Sequence, residues 1–264
     1  MLSNYYREIS TPLLPEDFHR FLSRRAPGRI LGMVLVDRQR VLNGSHSQLV
    51  DTWLNAEEKA QLDRYSFEKR RNEWFLGRLC AKQSTIEFLE QCGLETIDPQ
   101  EITITVGTSG RPYLKVPRLK KLDRLPDISI SHSHDKVIAL AGNCRCGIDI
   151  QLLTDTLFKV RDRFCSEPEQ ALLADTSEDE LVQLGMLWVA KEAIRKSLEQ
   201  ARPAGFLSLQ LSEVRHEQRY WLLDFHLDNP PSATAIYSTV VHVDDRYCLG
   251  VCTIPGVQRD ARTS

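Results

Sequence analysis

Two stretches hold the residues best suited to chemistry. In CGIDIQ, Cys146 to Gln151, one carboxylate stands between two isoleucines and an uncharged amide follows two residues later. Read as a strand, it puts Ile148 and Ile150 on one face and Gly147, Asp149 and Gln151 on the other. That polar face is either the wet side of a half-buried strand or a site for a metal ion or phosphate. In LWVAKEAIRKSLEQ, residues 187–200, Trp188, Glu192 and Lys196 recur at four-residue spacing and share a helical face. Glu192 with Lys196 alone is an ordinary ion pair worth about 0.3–0.5 kcal/mol when exposed. The indole on the same face argues against a fully solvated stripe.

Other groups point to anions or metals. His132 lies between Ser131 and Ser133 at the end of a strand-like run, and such donors form either a phosphate cradle or a surface edge. His132-x-His134 and Cys144-x-Cys146 leave a zinc alternative, although their spacing matches no common zinc pattern. Arg78 follows Gly77 amid Trp74, Phe75, Leu76 and Leu79. A half-buried guanidinium there needs an anionic partner, internal or bound.

The elements that must position these groups are read from pattern. Pro12, Pro15, Pro27 and Gly28 surround a short helical pattern and make an N-terminal arm leading into the strand ILGMVLVD. Asn55 with Glu58 is a capping box that opens one broken helix or two, ending at Gly93. Strands are expected at EITITVG and DISIS, separated by a turn at Gly110 to Pro112. VIALAG and GIDIQLL read as a hairpin through Asn143, followed by helices at EPEQALLAD and DELVQLGMLWVAKEAIRKSLEQ and four alternating strands. Helices and antiparallel strands in both halves make an α+β chain with a candidate internal duplication. The tail after residue 254 reads as a frayed end.

Composition bounds the partners. The 264 residues suffice for one large domain or two small ones. A net charge of -2 argues against nucleic-acid binding through the overall field. No apolar run approaches bilayer-spanning length. Seven scattered cysteines and an N-terminus without a signal-peptide pattern predict a cytoplasmic protein.

Taken in order, FEKRRNEWFLGR, SGRPYL, ISISHS, GIDIQ, RFCSEPE and LWVAKEAIRK resemble the motif series of the Sfp-type 4'-phosphopantetheinyl transferases, within the holo-acyl-carrier-protein synthase superfamily. The resemblance covers roughly residues 54 to 200. It implies an α+β pseudo-dimer of two similar halves, residues 1–134 and 135–264, with the active site in the cleft between them. It implies transfer of the phosphopantetheine arm of coenzyme A to a serine of an apo acyl, polyketide or peptidyl carrier protein, releasing adenosine 3',5'-bisphosphate. By motif, Asp149 and Glu192 would hold Mg2+, or Mn2+, with Gln151 contributing directly or through water. Glu192 would also take the carrier serine's proton, and Lys196 would contact phosphate and assist the leaving group. Arg78, Arg111, Ser131 and His132 would be CoA anion contacts, and the protein is expected to be a monomer. The family often has Glu at Gln151, Lys at Arg111 and an aromatic soon after SHS, where this chain has His134, Asp135 and Lys136. Two other readings stay open: a CoA- or carrier-binding relative without turnover, and a zinc-stabilised interaction protein.

Overall fold

The computed structural model describes residues 14–42, 46–119, 125–198, 204–228, 235–244 and 246–254. Residues 255–264, expected to fray, lie outside the described residues, as does the start of the arm. Helix α1 (Glu16–Arg25) leads into β1 (Leu31–Asp37). Short helices α2 (Arg38–Leu42), α3 (His46–Trp53) and α4 (Ala56–Leu62) precede the 24-residue α5 (Glu68–Gln91). The capping box at Asn55 and Glu58 opens α4, so the expected helical stretch is two helices. A small hairpin, β2 (Thr103–Val106) with β3 (Pro112–Lys115), turns through Gly110 at φ +82°, where glycine is favoured. Strands β4 (Asp127–Ser133) and β5 (Lys136–Gly142) complete a sheet of order β1-β5-β4.

The second half repeats this frame. Strand β6 (Arg145–Leu152) is followed by α6 (Thr156–Val160), α7 (Glu167–Ala174) and α8 (Glu180–Ser197). Then come β7 (Leu209–Glu217), β8 (Tyr220–Leu227), β9 (Ile236–Val243) and β10 (Tyr247–Ile254). The second sheet runs β6-β10-β9-β8-β7, so its first three strands reproduce the order β1-β5-β4. A Cβ on Gly32 of β1 would lie 2.0 Å from Ser84 O and 2.8 Å from Phe88 N of α5. A Cβ on Gly147 of β6 would lie 1.9 Å from Ala193 O and 2.8 Å from Ser197 N of α8. Each long helix therefore rests directly on strand backbone at matching points, with a shift of 109 residues between helices (84 to 193, 88 to 197). The fold is an α+β pseudo-dimer.

Matching buried tripods brace both halves. Lys82 Nζ bonds the Glu58 carboxylate and donates to Trp53 O at 2.7 Å and Pro99 O at 2.9 Å, while Glu58 Oε1 accepts from Ile104 N at 3.2 Å. Lys191, 109 positions on, bonds Glu169 at 2.6 Å and donates to Phe164 O at 2.7 Å and Phe206 O at 3.0 Å, while Glu169 Oε1 accepts from Leu211 N at 3.0 Å. A buried ion pair survives only when its remaining donors and acceptors are met, and both are.

The inner faces of the two sheets share a core. Leu31, Leu35, Ile138 and Leu140 of the first meet Ile148, Ile150, Leu249 and Val251 of the second. The arm joins this core, because Phe18, Phe21 and Leu22 of α1 are buried in it and Tyr220 donates to Asp17 at 2.9 Å. The expected hairpin through Asn143 is absent. Both edges of β5 are occupied by β1 and β4, and β6 pairs with β10. Asn143 instead accepts from Ile30 N and donates to Gly28 O, both at 3.0 Å, where the chain crosses between sheets. The division expected after residue 134 falls in the β4–β5 turn, inside the first sheet, and the sheets change at 143–144.

Candidate active site

The open edge of β6 lies beside β4, and side chains of β4 complete its hydrogen bonding. The hydroxyls of Ser129, Ser131 and Ser133 accept from Ile148 N at 3.1 Å, Ile150 N at 3.3 Å and Leu152 N at 2.9 Å. Asp127 extends the row by accepting from Cys146 N at 2.9 Å. Serines at period two thus replace a neighbouring strand's carbonyls, each contributing about 1 kcal/mol and sparing a buried N–H. The junction fixes β6 rigidly between the halves.

The face of β6 opposite Ile148 and Ile150 is not wet, because Gly147 lets α8 close over it. Asp149 is 6% exposed, and its Oδ1 accepts from Ser131 Oγ at 2.6 Å and Lys196 Nζ at 2.7 Å. Lys196 also donates to Ile148 O at 3.1 Å and Ile130 O at 3.4 Å, touching both halves. One turn earlier on α8, Glu192 is paired with Arg195 at 2.6 Å. Burial raises the Glu192 pKa and the nearby Asp149 charge adds to this, against Arg195 and Lys196. The four groups form two neutral pairs at the C-terminal end of α8, where the helix dipole favours the two cations. A cavity of about 210 Å³ opens on Glu192, Arg195 and Lys196, lined also by Arg111, Ser129 and Ile130, with Asp149 behind Lys196.

The structure therefore brings Asp149, Glu192, Lys196, Ser131 and Arg111 together. Arg111 is anchored to the Asp127 carboxylate and donates to Cys146 O at 3.1 Å. His132 is exposed and has the strand parity of Ile128 and Ile130, which pack with α5 residues. Arg78, on α5 outside this cavity, is 8% exposed, with its guanidinium 4.5 Å over Trp74. Its Nε has no hydrogen-bond partner among the described residues, and burial lowers its pKa. Gln151 donates from its NH2 to Leu152 O at 2.9 Å, which leaves the amide oxygen as its ligand-type atom. Trp188 stacks on Phe206 and meets the edge of Phe164.

Sequence reasoning missed Arg195, Asp127 and Ser129. Arg195 sits three residues after Glu192, and Asp127, Ser129, Ser131 and Ser133 alternate along DISISHS, so both signals were present.

Two carboxylates and an amide oxygen are the donor type Mg2+ takes, and the mutual repulsion of Asp149 and Glu192 is what a cation would relieve. Among the described residues no three His, Cys, Asp or Glu side chains converge, so such a cation needs phosphate or water for the rest of its shell. The zinc alternative finds no such ligand set. Cys146 is buried and burial pushes its thiol pKa up, the reverse of what a thiolate ligand needs. No helix among the described residues is long and apolar enough to cross a membrane.

A comparison with curated protein sequences gives no match. Among solved structures, the chain is similar to a Bacillus anthracis holo-(acyl-carrier-protein) synthase in complex with CoA (3',5'-ADP). The identity is 18% over 43% of this chain and 93% of that one, with TM-score 0.36. A Neisseria meningitidis holo-[acyl-carrier-protein] synthase (AcpS) gives 18% identity over 43% and 95%, with TM-score 0.37. A likeness this slight says nothing of the site. Residues 145–252, which carry Asp149, Glu192 and Lys196, match the profile of the 4'-phosphopantetheinyl transferase superfamily.

Proposed function

We propose that the protein is an Sfp-type 4'-phosphopantetheinyl transferase that modifies a serine of an apo acyl, polyketide or peptidyl carrier protein. The observation that carries this reading is the meeting of Asp149 and Glu192, two largely buried carboxylates from β6 and α8, with Lys196 at the junction of the halves. Asp149 and Glu192 would hold Mg2+, or Mn2+, with Gln151 through its amide oxygen or a water. Bound there, the ion would supply charge neutralisation on the CoA pyrophosphate.

The chain's own groups account for the rest. The carrier serine oxygen attacks the phosphorus attached to the pantetheine arm, a new P–O bond forms, and the bond to the bridging oxygen breaks. Adenosine 3',5'-bisphosphate leaves. Glu192 takes the serine proton directly or through water, and its raised pKa makes it a stronger base than a free carboxylate. Lys196, fixed by Asp149 and two carbonyls, neutralises or protonates the departing oxygen. Arg111, Ser131, His132 and Arg78 would be anion contacts.

The test is to incubate the protein with CoA, Mg2+ and an apo carrier and to weigh the carrier by mass spectrometry. A phosphopantetheine-sized gain, lost with EDTA and in Asp149→Ala, is the expected outcome. CoA binding without transfer across several carriers would replace this reading with that of a binding protein lacking turnover.

A further inference from the structure

Each carboxylate of the site already has a cation. Lys196 is 2.7 Å from Asp149 and Arg195 is 2.6 Å from Glu192, while Gln151 adds no charge. A lone divalent ion approaching this cleft therefore meets a field close to neutral, and it has to share Glu192 with a guanidinium already bound to Oε1.

Arg195 is well placed to resist displacement. Its Nε donates to Ala204 O at 2.8 Å and its guanidinium carbon lies 4.2 Å from the Phe206 ring centroid. These contacts hold the group over Glu192, and each side chain of the pair is only 20% exposed. Phe206 in turn stacks on Trp188, and its carbonyl is held by Lys191. The first half supplies a contrast, because the helix position matching Glu192 is Gln83 and the one matching Arg195 is the buried Ile86. Where the carboxylate is absent, the arginine is absent too.

We infer that Arg195 is a positioning residue that competes with the divalent cation for Glu192, so that the cation is held firmly only when it arrives with the pyrophosphate of CoA. This rests on the function proposed above. The phosphate charges tip the balance: they bind the ion from one side and give Arg195 an alternative anion.

The experiment is Mn2+ binding followed by electron paramagnetic resonance of the free ion, with and without CoA. The wild-type protein, Arg195→Gln, Arg195→Lys and the exposed-pair control Lys59→Ala are compared, and carrier transfer is assayed on the same samples. Expected are weak Mn2+ binding by the wild type that tightens with CoA, and affinity about fivefold higher in Arg195→Gln without CoA. Arg195→Lys and Lys59→Ala should stay near wild type. Equal Mn2+ affinity in the wild type and Arg195→Gln overturns the inference. So does a shift shared by Arg195→Gln and Arg195→Lys, since loss of Phe206 packing rather than charge would then be responsible. Absence of carrier transfer in every sample, with the Mn2+ pattern intact, would instead strike the proposed reaction and leave the competition standing.

Discussion

At matching helix positions, α5 presents Gln83, Ile86 and Glu87 where α8 presents Glu192, Arg195 and Lys196, and β1 presents Val34 where β6 presents Asp149. The bracing is the same in both halves, down to a capping-box glutamate paired with a buried lysine. What differs is the strand edge beside the long helix. The edge of β6 is completed by serines of the other half, whereas the Leu31 carbonyl of β1 is met from nearby by Gln91 at 2.9 Å and His19 at 2.6 Å. A cleft between halves exists on one side, and the charged cluster is confined to it. The comparison teaches that adjacent positions of one motif have separate duties: Lys191 holds the frame, as Lys82 does, while Glu192 beside it faces the cleft.

The largest expected effect follows from that division. Glu192→Gln should lower kcat for carrier modification by about 10²–10⁴, the range for loss of a general base. The mirrored substitution Gln83→Ala should leave kcat within a few-fold of wild type, because Gln83 is none of the proposed metal, phosphate or proton-transfer groups. Initial rates of carrier modification by mass spectrometry decide this. A Gln83→Ala enzyme as impaired as Glu192→Gln would mean that the matching position of α5 also serves the reaction.

Next come the tripods. Lys82→Met and Lys191→Met each strand a buried carboxylate and should each cost about 3–5 kcal/mol in denaturant-unfolding free energy. Similar losses would confirm equivalent bracing. A Lys191→Met variant of near-normal stability that has lost activity would instead place Lys191 in the chemistry. Replacing both partners of one tripod with apolar residues should recover part of the loss, since no charge is then left unpaired.

Much of this comparison was legible in the sequence and some was not. The Asn55 and Glu58 box declared itself because capping is local, within one turn. The strand reading of CGIDIQ was right in parity, and of its two alternatives the wet face is the one the structure removes, since alternation says which residues share a face and not what covers it. Nothing local marks Gly147 as the point where α8 touches backbone. The expected hairpin at Asn143 failed for a related reason: two strands joined by a short link read as neighbours unless the demand of β1 and β4 for both edges of β5 is known. Asp149, Glu192 and Lys196 were singled out by motif order and helical spacing, and they lie together in the fold. Arg195 escaped because a cation three residues from a glutamate resembles an ordinary solvated pair until Phe206 and Ala204 are brought over it.

The smallest effect tests the position matching Lys196. Glu87 is half-buried against β1, accepts from Gln83 Nε2 at 3.4 Å and from Met33 N, and its carboxyl pKa is pushed up to about 7, chiefly by desolvation with Glu90 adding a little. A raised carboxyl pKa means that the folded chain keeps a proton the unfolded chain has already released. Its favourable contribution is complete below the unfolded value of 4.5 and is lost as the pH rises through about 7, after which the loss is constant. Taken alone the shift bounds the change at about 3 kcal/mol, and water penetration will leave only part of it. Urea unfolding at pH 5 and pH 8 should therefore show the wild type less stable at the higher pH by more than Glu87→Gln is, because the neutral amide has no proton to lose. If both proteins lose stability equally, Glu87 is ionised and solvated in the native state. The first half would then retain a charge facing β1 where the second has Lys196, and the contrast between a chemically silent helix face and an active one would weaken at that position.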